Sequence, residues 1–390
     1  MLDRHFNTPE RKSFRAPTRL HAGLNARFDL ANILPEGPVL LVVDRNFASC
    51  DVAEKLDPAH GIVIGREPRS EDILKAIASF PQPTFTSVVA IGGGSTIDTA
   101  KALHAHLSFG RLDARDVERP AGAPALVAVP TTAGSGSETS RFFILADGTG
   151  IKHSHRAWSN TPDVAILDPA FLHEADAERL TLSAFDAFVH LWETFICRNE
   201  RDPFVDMLAL EGIPLITAAM EVLATGNALD DQDLSALQRA SALGGMAITN
   251  VRTGLIHTLA EALAPQVSLS HAETLWVFFD AALASYDHAV EGRIERLDRR
   301  LRADLGPHHG FGRLISLWHD LFSGLGLGER IESELENSID IHGLIATATR
   351  DTVLSKENPV PLKADDIGEI ITRRLSLNIY APERRRAVRQ

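Results

Sequence analysis

The chain has 390 residues, 44% of them apolar and 23% charged, the composition of an ordinary globular protein with room for two cores. A net charge of −13 argues against general binding to nucleic acid or to an acidic membrane surface. Two distant cysteines, Cys50 and Cys197, a polar N-terminus and the lack of a long apolar run argue against a disulfide framework, a leader and a membrane span, and give a cytoplasmic expectation.

Strand-like and helix-like segments alternate through the first half. Residues 39–43 form a compact apolar run followed by Asp44, and residues 61–64 form a second. A helical pattern covers 71–77. Residues 88–91 then read as a buried strand, and Gly92, Gly93 and Gly94 force a turn before Ser95 opens a helical pattern. Strand, glycine turn and helix N-terminus make an anion site, with a dinucleotide pyrophosphate as the natural guest. The spacing is neither G-x-G-x-x-G nor a P-loop, so the turn alone is also open to mere fold geometry. A strand at 125–129 runs into Pro130-Thr131-Thr132-Ala133-Gly134-Ser135-Gly136-Ser137-Glu138-Thr139, whose small residues suit either close approach to a ligand or an exposed turn. Residues 164–167 give a last strand before Asp168-Pro169. Strands separated by helices predict a parallel sheet covered on both faces, with ligands beyond the strand carboxyl ends.

After residue 180 the pattern is helical, with amphipathic runs at 183–198, 204–224, 234–250, 253–263 and 273–286, and Pro214 as an expected kink. A charged helix over 295–304 is broken by Gly306-Pro307-His308-His309-Gly310, and Arg384, Arg385, Arg386 and Arg389 read as a solvated tail. The predicted organisation is an α/β dinucleotide-binding domain over 1–180 and an all-helical domain over 181–390. Asp186 and His190 stand four apart on a helix, one above the other, as two metal ligands require. A capping role for Asp186 and a locally satisfied core histidine are the alternatives for that pair. His257 and His271, fourteen residues apart, fall on two later helices that a loop can bring together. The four residues make a three-imidazole, one-carboxylate set suited to one divalent ion such as Fe(II) or Zn(II).

These motifs together resemble the iron-containing (group III) alcohol dehydrogenase family of the dehydroquinate-synthase-like superfamily. Gly92-Gly93-Gly94-Ser95-x-x-Asp98-x-Ala100-Lys101 is similar to its pyrophosphate motif, and residues 130–138 to its second cofactor motif. Residues 162–169 resemble the segment that joins its domains. Asp186-x-x-x-His190-x-x-Glu193 and Gly254-x-x-His257 with His271 resemble its two metal halves. The resemblance implies hydride transfer between a nicotinamide cofactor and a small alcohol or aldehyde, with Asp44, Gly92, Gly93, Gly94, Ser95, Asp98, Thr131, Thr132, Ser135 and Ser137 at the cofactor. Asp44 is expected to bond the adenosine ribose and so favour NAD over NADP.

Two departures stand out. Where the family carries a further histidine four residues after His257, this chain has Glu261, which can relay a proton, bind a cationic group or face away. Glu261 and His271 are the candidate catalytic residues. Around His271 the form His-Ala-Glu-Thr resembles the metal-independent maleylacetate reductases, which lack the aspartate matching Asp186. Arg141 is the candidate substrate residue, and implies an aldehyde bearing a carboxylate or phosphonate or else makes a surface ion pair. A sugar-phosphate carbocyclase on the same fold is the remaining alternative, and a homodimer is expected.

Overall fold

The computed structural model describes residues 13–379 apart from 57, 66–68, 81–84, 113–116, 148–151, 199–201 and 351–357. The terminal segments discussed above, residues 1–12 and the arginines at 384–386 and 389, lie outside the described residues.

In chain order the first half contains β1 (Arg19–Ala22), α1 (Leu30–Ile33), β2 (Val39–Asp44), α2 (Asp51–Lys55), β3 (His60–Ile64), α3 (Ser70–Ala78), β4 (Ser87–Gly92), α4 (Gly94–Phe109), β5 (Ala125–Pro130), β6 (Phe142–Ala146), β7 (Lys152–Arg156) and β8 (Val164–Leu167). Six strands form one sheet in the order β1-β8-β5-β4-β2-β3, and every neighbouring pair is parallel. From β2 the chain moves outward to β3, whereas from β4 it moves the other way to β5 and β8. The reversal therefore lies between β2 and β4, and a crevice beyond their carboxyl ends is where such sheets bind ligands.

Alternation explains why the central strands are apolar throughout. Leu40, Val42, Val88, Ala90, Leu126 and Ala128 pack with Ile73 of α3 and Ile97 and Leu103 of α4. Val39, Leu41, Val43, Val89, Ile91, Val127 and Val129 face the other side, against Val52 and Phe171. With a period of two and cover on both faces, both register positions are filled by apolar residues along the middle of these strands.

Two features differ from the sequence expectation. β1 is a short, largely exposed edge strand paired only with β8, so its sequence shows no apolar alternation. β6 and β7 form a separate antiparallel hairpin, and β7 is the polar segment Lys-His-Ser-His-Arg, which carries Lys152 and His153.

The second half contains α5 (Ala177–Ile196), α6 (Pro203–Ala224), α7 (Asp231–Asn250), α8 (Leu255–Leu263), α9 (His271–Ser285), α10 (Glu291–Leu305), α11 (Phe311–Gly324), α12 (Leu327–Glu334), α13 (Ile341–Ala348) and a C-terminal helix, Ala364–Ile379. No strand follows β8 among the described residues. Helix α5 starts earlier than the apolar pattern suggests because Asp176 caps it, its carboxylate accepting the Arg179 N–H at 2.7 Å. The Phe185 ring on α5 stands edge-on to Phe279 and Trp318, each 5.2 Å away, at the centre of the helical core.

By length and composition α6 is apolar enough to cross a membrane, with a mean hydropathy of 1.6, contrary to the expectation that no segment would be. Here Val205, Ala209, Ile213 and Ile216 are buried in the helical core, and Pro214 sits inside the helix without ending it. Asp206 at its start accepts from Arg293 and Arg296 of α10, at 2.5 and 2.6 Å.

Candidate functional site

The glycine turn is built as a crevice wall. Gly93 caps α4, and a Cβ on Gly92 would come 2.5 Å from Thr96 Oγ1. A Cβ on Gly94 would come 2.8 Å from Ser135 Oγ, and one on Gly93 would touch Thr132 at 3.3 Å. The turn and the segment after β5 therefore close on each other only because no side chain intervenes. Thr131 donates its N–H to Gly92 O at 3.1 Å, which ties the two walls together. Gly92, Gly93, Gly94, Ser95, Thr131, Thr132 and Ser135 thus meet at the carboxyl ends of β4 and β5. Asp44 ends the neighbouring β2, where its carboxylate accepts the Asn46 N–H at 2.9 Å.

Asp98 and Ser137 are occupied with each other. Ser137 Oγ donates to Asp98 Oδ1 at 2.6 Å, and Asp98 Oδ2 accepts the Ile144 N–H at 3.0 Å. One turn along α4, the fully buried Lys101 ammonium donates to Ser140 O at 2.8 Å and to Phe142 O at 2.6 Å. It also reaches Ser137 Oγ at 3.1 Å and Ser140 Oγ at 3.2 Å. Burial draws Lys101 down to about 8 against the pull of Asp98 and Glu138, and burial pushes the Glu138 carboxyl up to about 7. Behind the crevice, then, α4 holds the loop 131–140 and the start of the hairpin. On the far side the loop meets α7, since Gly136 (φ +62°) lies so close to Gly245 that a Cβ would come 2.5 Å from its Cα. Thr139 Oγ1 also donates to Ala242 O at 2.7 Å.

The second half brings Asp186, His190 and His257 together as one group of ligand-type side chains, with His271 beside Asp186 on its exposed side. His190, His257 and His271 each direct Nε2 toward Asp186 Oδ1, at 3.6, 3.9 and 3.6 Å. The His190 and His257 rings stack with centroids 4.7 Å apart. Asp186, His190 and His257 are buried, whereas the His271 side chain is 45% exposed. A capping box fixes His271 as the first residue of α9: Glu273 accepts the Ser270 N–H at 2.8 Å, and Ser270 Oγ accepts the Glu273 N–H at 3.4 Å.

Asp186 Oδ1 and His257 Nε2 are both buried without a hydrogen-bond partner. Two buried, unpartnered lone-pair atoms facing each other across less than 4 Å are costly unless a cation joins them, and three imidazoles with a carboxylate fit a divalent ion. Burial lowers His190 to about 4, which keeps it a neutral imidazole. For Asp186 burial works upward, yet His190, His271 and His257 together hold the carboxyl below its usual range.

Glu193 is the residue that sequence reasoning left without a role. Its Oε2 lies 2.7 Å from His257 Nδ1, and the carboxylate also accepts N–H bonds from Gly254 at 2.9 Å and Ile256 at 2.6 Å. One buried carboxylate therefore caps α8 and holds the His257 ring with Nε2 turned to the cluster. Burial opposes protonation of His257 most strongly, but the bond to Glu193 and the charges of Glu193, Asp186 and Glu261 together outweigh it and raise the pKa.

A cleft of about 360 Å³ joins the two sets, lined by Thr132, Ser135, Arg179, Leu182, Asp186 and His271 among others. Arg141 is not among its lining residues. Its guanidinium lies over the Trp158 ring at 4.5 Å and the residue is 6% exposed, so packing against the hairpin side takes it away from the cleft. Arg179 lines the cleft instead, exposed, and no hydrogen bond or ion pair engages its guanidinium among the described residues. The neighbouring Glu178 is paired with Arg330 at 2.8 Å. Glu261 is exposed one turn beyond His257, near enough for its charge to raise the His257 pKa, and is not among the lining residues.

Residues 17–169 match the family model described as iron-containing alcohol dehydrogenase, and residues 181–375 match that of the C-terminal region of Fe-containing alcohol dehydrogenases. An alcohol dehydrogenase of Thermococcus barophilus is 31% identical over 78% of this chain and 80% of its own length. The probable alcohol dehydrogenase EutG of Escherichia coli (strain K12) is 27% identical over 75% of this chain and 74% of its own. The crystal structure of sulfoacetaldehyde reductase from Bifidobacterium kashiwanohense in complex with NAD+ shares the fold, with a TM-score of 0.78, 20% identity and coverage of 94% of this chain and 99% of that one.

Proposed function

This chain belongs to the iron-containing alcohol dehydrogenase family, oxidoreductases acting on CH–OH groups, and from that premise we propose a metal-dependent, NAD(P)-linked alcohol dehydrogenase or aldehyde reductase for small anionic substrates. The observation that carries this reading is the single cleft whose walls include Thr132 and Ser135 of the glycine-rich crevice as well as Asp186 and His271 of the imidazole cluster. Hydride transfer needs the nicotinamide and the reacting carbon in contact, and one cleft shared by both sets is the geometry for it.

Asp186, His190, His257 and His271 would hold the ion. Bound there, Fe(II) or Zn(II) supplies Lewis acidity toward the substrate oxygen, while NAD supplies the hydride chemistry. The chain's own residues do the rest. His190, kept neutral by burial, offers a lone pair; Glu193 fixes the His257 ring; Thr132 and Ser135 flank the cofactor's approach to the cluster. Glu261, exposed and one turn from His257, contributes negative charge that raises the His257 pKa. Asp44 at the end of β2 favours NAD by bonding the ribose hydroxyls. The orphaned atoms of the cluster support a bound ion over the metal-independent reading. The carbocyclase reading is set aside, because both matched family models describe alcohol dehydrogenases.

Arg179, in the cleft and engaged by no ion pair among the described residues, supports an anionic substrate. Arg179→Ala is expected to lower kcat/KM for carboxylate- or phosphonate-bearing aldehydes by about tenfold, with neutral aldehydes of similar size nearly unaffected. NADH oxidation across such a panel is the test. Equal losses for both classes, or no loss, would remove the case for an acidic substrate.

A further inference from the structure

Arg45 follows Asp44 directly, as the first residue of the short 3-10 turn Arg45–Phe47. Its side chain crosses to the neighbouring strand, where a Cβ on Gly65 would come 2.7 Å from Arg45 Nη2. Glycine at the end of β3 therefore makes room for the guanidinium. Among the described residues no hydrogen bond or ion pair engages it. Arg45 also lines a cavity of about 310 Å³ between β3, α3 and α4, together with Ile64, Ile73, Thr99 and Leu103. Asp72 lines the same cavity and has a partner of its own. An apolar hollow with one uncommitted cation at its rim suits an adenosine carrying an extra anionic group.

Asp44 by itself argues against such a group, because a carboxylate at this strand end repels a 2′-phosphate. In this chain one carboxylate oxygen, Asp44 Oδ1, is engaged within its own turn, accepting the Asn46 N–H at 2.9 Å. The strand outside β2 is β3, and there the guanidinium waits. A planar guanidinium donates paired hydrogen bonds to phosphate oxygens, and an arginine beside the ribose site is how dinucleotide folds accept a 2′-phosphate. We propose that Arg45 binds the 2′-phosphate of NADP and lets this enzyme use NADPH beside NADH despite Asp44. The inference rests on the dinucleotide crevice proposed above.

Calorimetric titration with ADP and with adenosine 2′,5′-bisphosphate tests it without turnover. Wild type is expected to bind both. Arg45→Ala should weaken the bisphosphate about tenfold and change ADP less than about twofold, and Arg45→Lys should recover part of the loss. In kinetics, Arg45→Ala should widen the preference for NADH by a similar factor. Equal weakening of both ligands would mean that the side chain merely packs against adenine, and no change in either would mean that it faces away; both overturn the proposal. If wild type binds neither ligand, the dinucleotide crevice itself is wrong and the proposal falls with it.

Discussion

Replacing Asp186 and His271 together by alanine is expected to leave the protein folded and without metal. Wild type should carry close to one divalent ion per chain after dialysis, and the double variant under about a tenth of that. Asp186 Oδ1 is the atom on which all three imidazole nitrogens converge, so its loss removes the anionic ligand and the centre of the arrangement. His271 is the exposed member, held by the Ser270–Glu273 capping box rather than by burial, and its removal leaves two buried imidazoles. Two histidines are too few to retain an ion against dialysis. Elemental analysis, with circular dichroism as the check on folding, reads the outcome. An unchanged metal content in the folded double variant would remove the cluster from the chemistry.

Lys101→Met is expected to cost about 3–5 kcal/mol of stability and to weaken NADH binding along with it. The ammonium is fully buried, donates to two backbone carbonyls and shares its remaining N–H between two hydroxyls. Methionine fills much of the volume but supplies no donor, so Ser140 O and Phe142 O lose the partner they share. Asp98 and Glu138 lose the buried cation between them as well. The same contacts fix the loop that carries Thr132 and Ser135, so cofactor affinity should fall with stability. Denaturant unfolding monitored by fluorescence measures the first effect and NADH titration the second. A loss below about 1 kcal/mol, with NADH affinity intact, would show that the loop is held by other contacts.

The sequence made the crevice legible because its signals are local. An apolar run, three glycines and a helical pattern follow one another without a gap, and β4, Gly93 and α4 form in that order. Asp186 and His190 were visible for the same reason, one helical turn apart on a helix that is buried on every other side. What stayed hidden depends on contacts between distant segments. Glu193 acts only because the N-terminus of α8 docks on α5. Arg179 enters the cleft because Asp176 starts α5 before the apolar pattern begins. Arg141 was legible as a charge next to the cofactor motif, but Trp158, beyond the hairpin, decides where its guanidinium goes. β1 escaped notice because an exposed edge strand needs no alternation.

Metal-dependent hydride transfer in the shared cleft is tested most directly by NADH oxidation with a small anionic aldehyde, before and after the protein is stripped with a chelator. Activity should fall to background when elemental analysis shows the ion gone, and return on adding Fe(II) or Zn(II). A rate that survives complete stripping would contradict the role assigned to Asp186, His190, His257 and His271.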